Sequence, residues 1–214
     1  MIGIIGGSGL YELLDDPREE RVTTAYGEPS GTVSLGTIEG REVAFLTRHG
    51  REHSVPPHLI NYRANLAALD ALGATRVITS SAVGSLRADF PPGIFVVTDQ
   101  FVDRTWGRTD TFFEGPRVVH VSIADPYCPV LRSELVSTLG DLQEDYRPTG
   151  TSVVIQGPRF STRAESRWFQ QMGWDVLSMT QHPETVLARE LAMCCVNLSF
   201  VSDLDAGVEG VQDE

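Results

Sequence analysis

The stretch VAFLTRHGREHSVPPHLINYRANLAALDALGATRVITSS, Val43 to Ser81, decides the fold. It opens on a short apolar run, Val43–Thr47, of the kind that forms a buried strand. Pro56 and Pro57 then precede a segment, His58–Leu72, in which Leu59, Tyr62, Leu66 and Leu69 line one helical face, and Gly73 stops it. A second apolar run, Arg76–Ser80, follows at once. Strand, helix and strand in such close succession make the repeating unit of an α/β protein.

The same alternation extends in both directions. Further strands are expected at Ile2–Ile5, Thr32–Ile38, Phe95–Asp99, Val118–Val121, Thr151–Ile155, Val176–Met179 and Val196–Val201. The run TVSLGTIEGREVAFL reads as a hairpin turning at Glu39-Gly40. Helices are expected at Val130–Leu139, Arg163–Gln171 and Glu184–Met193, the last with Pro183 at its start. The pattern predicts one α/β domain over residues 1–214, a mixed central β-sheet flanked by helices. No repeat, low-complexity segment or linker interrupts it.

Composition narrows the function. The chain has 214 residues, 41 % apolar and 21 % charged, ordinary values for a globular domain. A net charge of -12 argues against nucleic acid as a partner, because phosphate backbones need clustered cations. An acidic protein can still take a small anion in a local pocket. All 17 basic residues are Arg. Without lysine there is no Schiff base and no Walker P-loop. Cys128, Cys194 and Cys195 show neither metal-ligand spacing nor an even disulfide set, which suits a reducing cytoplasm, and Cys195 lies in an apolar run that suits the core. The N-terminus lacks the charged region of a signal peptide, and no run reaches membrane-spanning length.

Four polar clusters follow strand ends: GGSGL, TRHGREH, SSAVGS and SMTQHPE. In open α/β sheets, ligands sit outside the carboxyl ends of strands. The glycines at 3, 6, 7 and 9 do not fit the dinucleotide fingerprint, but a strand–glycine–serine turn presents backbone N–H groups and a hydroxyl to an anion. Taken alone it could equally be a tight turn. Arg48 offers a fork of donors suited to phosphate and His49 adds another, although a surface ion pair would look the same. Asp203 and Asp205, in VSDLDAG, lie just beyond an apolar strand. They could cap a helix or turn, bind a metal with further ligands, or supply a general acid raised in pKa by burial.

Together IGIIGGSGL, RHGREHSVPPHLINYRAN, SSAVGSL, GPRFSTRAE, SMTQHPETVLARE and SDLDAG resemble the trimeric purine nucleoside phosphorylases, in their methylthioadenosine phosphorylase branch. The motifs run in order along the whole chain. The resemblance implies phosphorolysis of 5′-methylthioadenosine to adenine and 5-methylthioribose 1-phosphate, in purine and methionine salvage. It implies inorganic phosphate as co-substrate, no cofactor or metal, no nucleic-acid or membrane partner, and a cytoplasmic homotrimer. A 6-oxopurine nucleoside or methylthioinosine phosphorylase is the alternative on the same scaffold.

Carried over by motif, the resemblance implies that Ser8, Arg48, His49, Ser81 and Thr180 ring the phosphate, with Ala82 between phosphate and ribose. Met179 would line the ribose, and Phe160 and Ser161 the purine. Asp203 and Asp205 would be the catalytic pair at the base edge. His53 and Pro57 would wall the 5′-group pocket, and His120 would reach a neighbouring subunit's site. Three departures stand out. Ser8 and Ser81 replace threonines and keep the hydroxyl, and His182 stands where a small or apolar residue is usual; it could touch substrate or pack, and packing is the expectation. Relatives also continue for several tens of residues past the aspartates, so the usual C-terminal helical segment over the 5′ pocket is expected to be missing.

Overall fold

A computed structural model describes residues 1–7, 14–50 and 52–208. Its centre is an 11-stranded mixed sheet. In chain order the elements are β1 (Ile2–Gly6), β2 (Asp15–Glu20), β3 (Val33–Ile38), β4 (Arg41–Thr47), a 3₁₀ turn (Pro57–Leu59), α1 (Tyr62–Ala71), β5 (Arg76–Ser85), β6 (Phe95–Val97), β7 (Gln100–Arg104), α2 (Pro129–Asp141), β8 (Tyr146–Arg147), β9 (Thr151–Ile155), α3 (Arg163–Gln171), β10 (Val176–Ser178), α4 (Gln181–Glu190) and β11 (Cys194–Leu204). Strand order is β2-β3-β4-β1-β5-β10-β9-β7, with β11 on the other side of β5 and followed by β6 and β8.

The strand–helix–strand reading of Val43–Ser81 holds, with a later helix start. Pro57–Leu59 form a 3₁₀ turn, and Asn61 caps α1 by accepting from the Ala64 amide. Leu59 is therefore 66 % exposed and off the buried face, while Tyr62, Leu66 and Leu69 pack inward. The hairpin turns where expected: Glu39 and Gly40 both have positive φ (50° and 71°), the requirement of a type I′ turn. α3 starts with a capping box between Thr162 and Glu165. α1 and α4 cover one face of the sheet, burying Leu66, Leu69 and Leu187 against Ile5, Leu46 and Val77. Burial at this scale is the main favourable term in folding.

Several expectations change. The strand expected at Val118–Val121 is absent, and residues 105–128 carry neither helix nor strand. The strand expected at Phe95–Asp99 ends at Val97 as β6, which pairs with β11; the chain then switches partners, and β7, which the sequence did not reveal, pairs with β9. β2, DDPREE, is an exposed edge strand with no apolar alternation to reveal it. Cys128 and Cys194, expected to be unpaired, form a disulfide bond across 66 residues of sequence, while Cys195 is free and buried. Neighbours on a strand point to opposite faces, so only one of Cys194 and Cys195 can reach Cys128. The pairing removes the argument from unpaired cysteines to a reducing compartment. Among the described residues, no helix is long and apolar enough to cross a membrane.

The topology opens a gap beside β5. β1 runs parallel to β5 only as far as Ile5 opposite Thr79. β10 takes over the same edge in the antiparallel sense, with Val176 opposite Ser85 and Leu177 opposite Gly84. The carboxyl ends of β1 and β10 therefore point at each other across Ser80–Val83.

Candidate active site

That gap is the floor of an open cleft of about 780 Å³. Arg48, His49, His53, Pro57, Ser81, Ala82, Phe160, Met179, Thr180, Asp203 and Asp205 all line it, joined by Gly7 and Ser202. The register explains the convergence. Arg48 and His49 follow β4, which lies parallel to β1. β10 delivers Met179 and Thr180 back along β5 towards Ser81. β11 runs parallel to β5 until a register shift between Val201 and Asp203, after which Asp203 lies opposite Gly84. A Cβ on Gly84 would lie 3.6 Å from Asp203 Oδ2 and 3.7 Å from Asp205 Cβ, so both aspartates pack over that glycine.

Arg48 is only 3 % exposed. Its Nε donates to Glu184 Oε1 (2.5 Å) and its Nη2 to Glu184 Oε2 (3.0 Å). Nη1 donates to the Ser80 carbonyl (2.7 Å) and Nη2 to the Ile5 carbonyl (3.3 Å). A guanidinium has five N–H groups, so one, on Nη1, remains for the cleft. The ion pair that the sequence left open as an alternative therefore exists, but it is buried and forms part of the cleft wall.

His49 Nδ1 lies 2.8 Å from the Val55 carbonyl, which can only accept, so Nδ1 carries the proton. Burial, and then the neighbouring Arg48 and His53, hold the His49 pKa below its ordinary value, against the opposing pull of the Val55 hydrogen bond. The neutral ring thus presents Nε2 as an acceptor, and becomes the second donor that the sequence suggested only on protonation. Its ring stacks on His53 at 4.4 Å.

The hydroxyls are held from behind. Asn197, fully buried on β11, donates from Nδ2 to Ser81 Oγ (3.3 Å) and Thr79 Oγ1 (2.9 Å), leaving the Ser81 proton free to point outward. Gln181 fixes Asn197 by donating to its Oδ1 (3.0 Å). Thr180 is the N-cap of α4, yet its side chain makes no capping hydrogen bond.

The two aspartates differ. Asp205 is 4 % exposed and accepts the Ser161 hydroxyl, which lies 2.6 and 2.7 Å from its two oxygens. Asp203 is exposed rather than buried, and Ser202 Oγ donates to its Oδ1 at 2.5 Å. Phe160 is 73 % exposed at the rim. Gly157 (φ +62°) admits the Met179 side chain: a Cβ there would sit 2.6 Å from the Met179 sulfur.

Two expected site residues lie elsewhere, and a third falls outside the described residues. Ser161 stands behind Asp205 and does not line the cleft. His120 is exposed in the 105–128 stretch, outside its own chain's cleft. Ser8 lies outside the described residues. His182 packs, as expected: it is buried near Phe101, with Nε2 3.4 Å from Asp103 Oδ2. Sequence reading assigned no role to Glu184, Asn197 or Ser202. Glu184 is part of SMTQHPE, but its partner lies 136 residues away. Among the described residues, no group of three His, Cys, Asp or Glu could hold a metal ion.

Chemically, the cleft pairs a donor-rich end, made of Arg48, Ser81 and Thr180, with an acceptor end made of Asp203 and Asp205. Comparison with known proteins adds to this geometry. Residues 1–214 match the family described as the phosphorylase superfamily. A purine nucleoside phosphorylase from Streptomyces coelicolor is 53 % identical over 97 % of this chain and 77 % of its own length. An S-methyl-5′-thioadenosine phosphorylase from Thermofilum pendens is 54 % identical over 97 % of this chain and 80 % of its own. The structure of methylthioadenosine phosphorylase from Schistosoma mansoni in complex with adenine superposes with a TM-score of 0.95, at 36 % identity, over 100 % of this chain and 82 % of that one.

Proposed function

The chain belongs to the phosphorylase superfamily, and on that premise we propose that it cleaves 5′-methylthioadenosine with phosphate, giving adenine and 5-methylthioribose 1-phosphate. The observation that carries this reading is the single cleft with anion donors at one end and two carboxylates at the other, in a chain 54 % identical to an S-methyl-5′-thioadenosine phosphorylase. Phosphate is the co-substrate, and no step calls for a metal or organic cofactor.

In this reading phosphate lies against the remaining Arg48 N–H, the Ser81 and Thr180 hydroxyls, His49 and Gly7. Ribose rests on Ala82 and Met179, the purine by Phe160, and the 5′-group between His53 and Pro57. The bond from N9 to C1′ breaks through an oxocarbenium-like sugar, as in other glycosyl transfers. Phosphate on the opposite face stabilises that cation and then bonds to C1′, while fixed donors hold it in line. The purine gathers negative charge as it leaves. Asp203, a carboxylate that accepts from the 6-amino group, holds the purine in place, and the proton that hydrogenphosphate gives up on forming the ester ends on the leaving purine. Asp205, anchored by Ser161, sets the wall beside it.

The second reading on this scaffold is phosphorolysis of 6-oxopurine nucleosides, and the Streptomyces relative's name, purine nucleoside phosphorylase, fits either reading. Asp203 argues for adenine, because a carboxylate accepts from a 6-amino group and opposes a 6-oxo group. We further infer a homotrimer in which the exposed His120 reaches a neighbour's cleft, and a place in purine and methionine salvage.

Purine release from methylthioadenosine, adenosine and inosine, each with and without phosphate, tests the proposal. Phosphate-dependent adenine release, fastest from methylthioadenosine, is expected. Hypoxanthine release from inosine at a matching rate would overturn the base assignment, and release without phosphate would overturn the phosphate site.

A further inference from the structure

Glu184 is the largest commitment of charge in the protein interior that the proposed reaction does not use. It is 1 % exposed, it meets Arg48 through two hydrogen bonds, and it never lines the cleft. We propose that Glu184 is a positioning residue for phosphate, acting through Arg48. The proposal rests on the reading of Arg48 as a phosphate ligand.

The geometry gives three reasons. The fork-to-fork pair, with the two backbone carbonyls, fixes the guanidinium plane, and so fixes the direction of the one Nη1 hydrogen left over. A buried pair is weak evidence for stability in itself, since apolar replacements often serve as well. Here, however, one edge of the pair opens onto the cleft. Third, Thr180 and Glu184 lie four residues apart in the segment that opens α4, with the non-helical His182 (φ -105°, ψ 132°) between them. This short segment ties the position of Thr180 to that of Arg48, although Arg48 follows β4 on the other side of β1. The helix dipole also favours a carboxylate at this end. Without Glu184, Arg48 would be a buried cation lacking its counter-charge, and the guanidinium would turn towards water in the cleft. The remaining N–H would lose its aim.

Glu184→Gln tests this. It keeps the size, removes the charge and sets an amide N–H against an Arg48 N–H. The expected result is a rise in the KM for phosphate of about tenfold to a hundredfold, with the KM for nucleoside changed by less than about twofold. Glu184→Asp, which keeps the charge but withdraws it by one methylene, should fall between. Arg48→Gln is measured alongside, as is the double variant, in which the effect of Glu184→Gln should vanish. A raised phosphate KM in Arg48→Gln with no change in Glu184→Gln would overturn the positioning role. An unchanged phosphate KM in Arg48→Gln would instead overturn the Arg48 reading itself. Loss of thermal stability or kcat in Glu184→Gln with both KM values unchanged would make the pair structural and refute the proposal. So would failure of both Glu184 variants to fold.

Discussion

Asp203→Asn should turn the base preference around, and the structure says which atom does so. Ser202 Oγ donates to Asp203 Oδ1. The oxygen left to face a ligand is Oδ2, the atom nearest the position a Gly84 Cβ would occupy. In the variant, the amide oxygen keeps the Ser202 hydrogen bond and the NH₂ group takes the place of Oδ2. An acceptor becomes a donor with almost no change in shape. Against a 6-amino purine this opposes donor to donor, and against a 6-oxo purine it creates a hydrogen bond. Leaving a buried polar group mispaired costs about 1–3 kcal/mol. Asp203 is exposed at the cleft edge, so the lower end applies, about 1 kcal/mol for each purine. The two effects add in the ratio of kcat/KM for inosine over methylthioadenosine, which should rise about thirtyfold. Steady-state phosphorolysis of both nucleosides at saturating phosphate measures it. A ratio that moves by less than about threefold would mean that Asp203 does not face the 6-position, and the specificity argument would fail.

Two further predictions follow from how the site groups are held. His49 has its pKa held down in the ligand-free protein, chiefly by burial. As pH falls through about 6.5, the unfolded chain takes up this proton first, so the free protein loses stability there. Bound phosphate favours protonated His49, so the thermal stabilisation by phosphate should be larger at pH 6 than at pH 8, and the difference should shrink in His49→Gln; an equal or smaller shift at pH 6 would show that His49 does not meet the anion. Ser161→Ala removes the hydroxyl that both Asp205 oxygens share, a charged hydrogen bond of about 1.5–3 kcal/mol; Tm should fall by roughly 3–12 °C, Ser161→Thr should fall less, and an unchanged Tm in Ser161→Ala would show that the contact carries no stability.

The sequence makes some layers of this protein legible and hides others for physical reasons. Local signals carried furthest. The Glu39-Gly40 turn, the helix over Arg163–Gln171 and the apolar runs of β1, β4, β5 and β9 depend on near neighbours and appear where their residues do. β2 was hidden because an edge strand exposed along its length needs no apolar face. Val118–Val121 has the composition of a strand but finds no partner, and strand propensity is mostly a measure of packing against neighbours. At the site, TRHGREH and SMTQHPE run from the ends of β4 and β10 into the cleft, as ligand-binding strand ends do, whereas SSAVGS, expected beyond a strand end, lies within β5 and forms the cleft floor. What supports those clusters was out of reach. Glu184 behind Arg48, and Asn197 behind Ser81, are each joined by more than a hundred residues of intervening chain. The Cys128–Cys194 pair depends in the same way on where the start of α2 meets the start of β11.

The charges around the cleft show how an acidic protein of net charge -12 can take an anion at all. Arg48 is the one cation lining the cleft among the described residues, and Glu184 neutralises it. His49 is held towards its neutral form, while Asp203 and Asp205 add acceptors at the other end. No long-range field therefore draws phosphate in, as a basic channel would. What the cleft offers is short-range: one Arg48 N–H in a fixed direction, two hydroxyls with their protons free, and a histidine that can take up a proton as the anion arrives. Such a site binds by direction and proton supply, and charge balance is reached only once the ligand is seated. It can then share one cleft with two carboxylates without being cancelled by them. The same arrangement keeps the carboxylates free to deal with the purine, since no exposed guanidinium competes for their oxygens. This is why the pairing of Arg48 with Glu184, which looks at first like the loss of a phosphate ligand, is compatible with one.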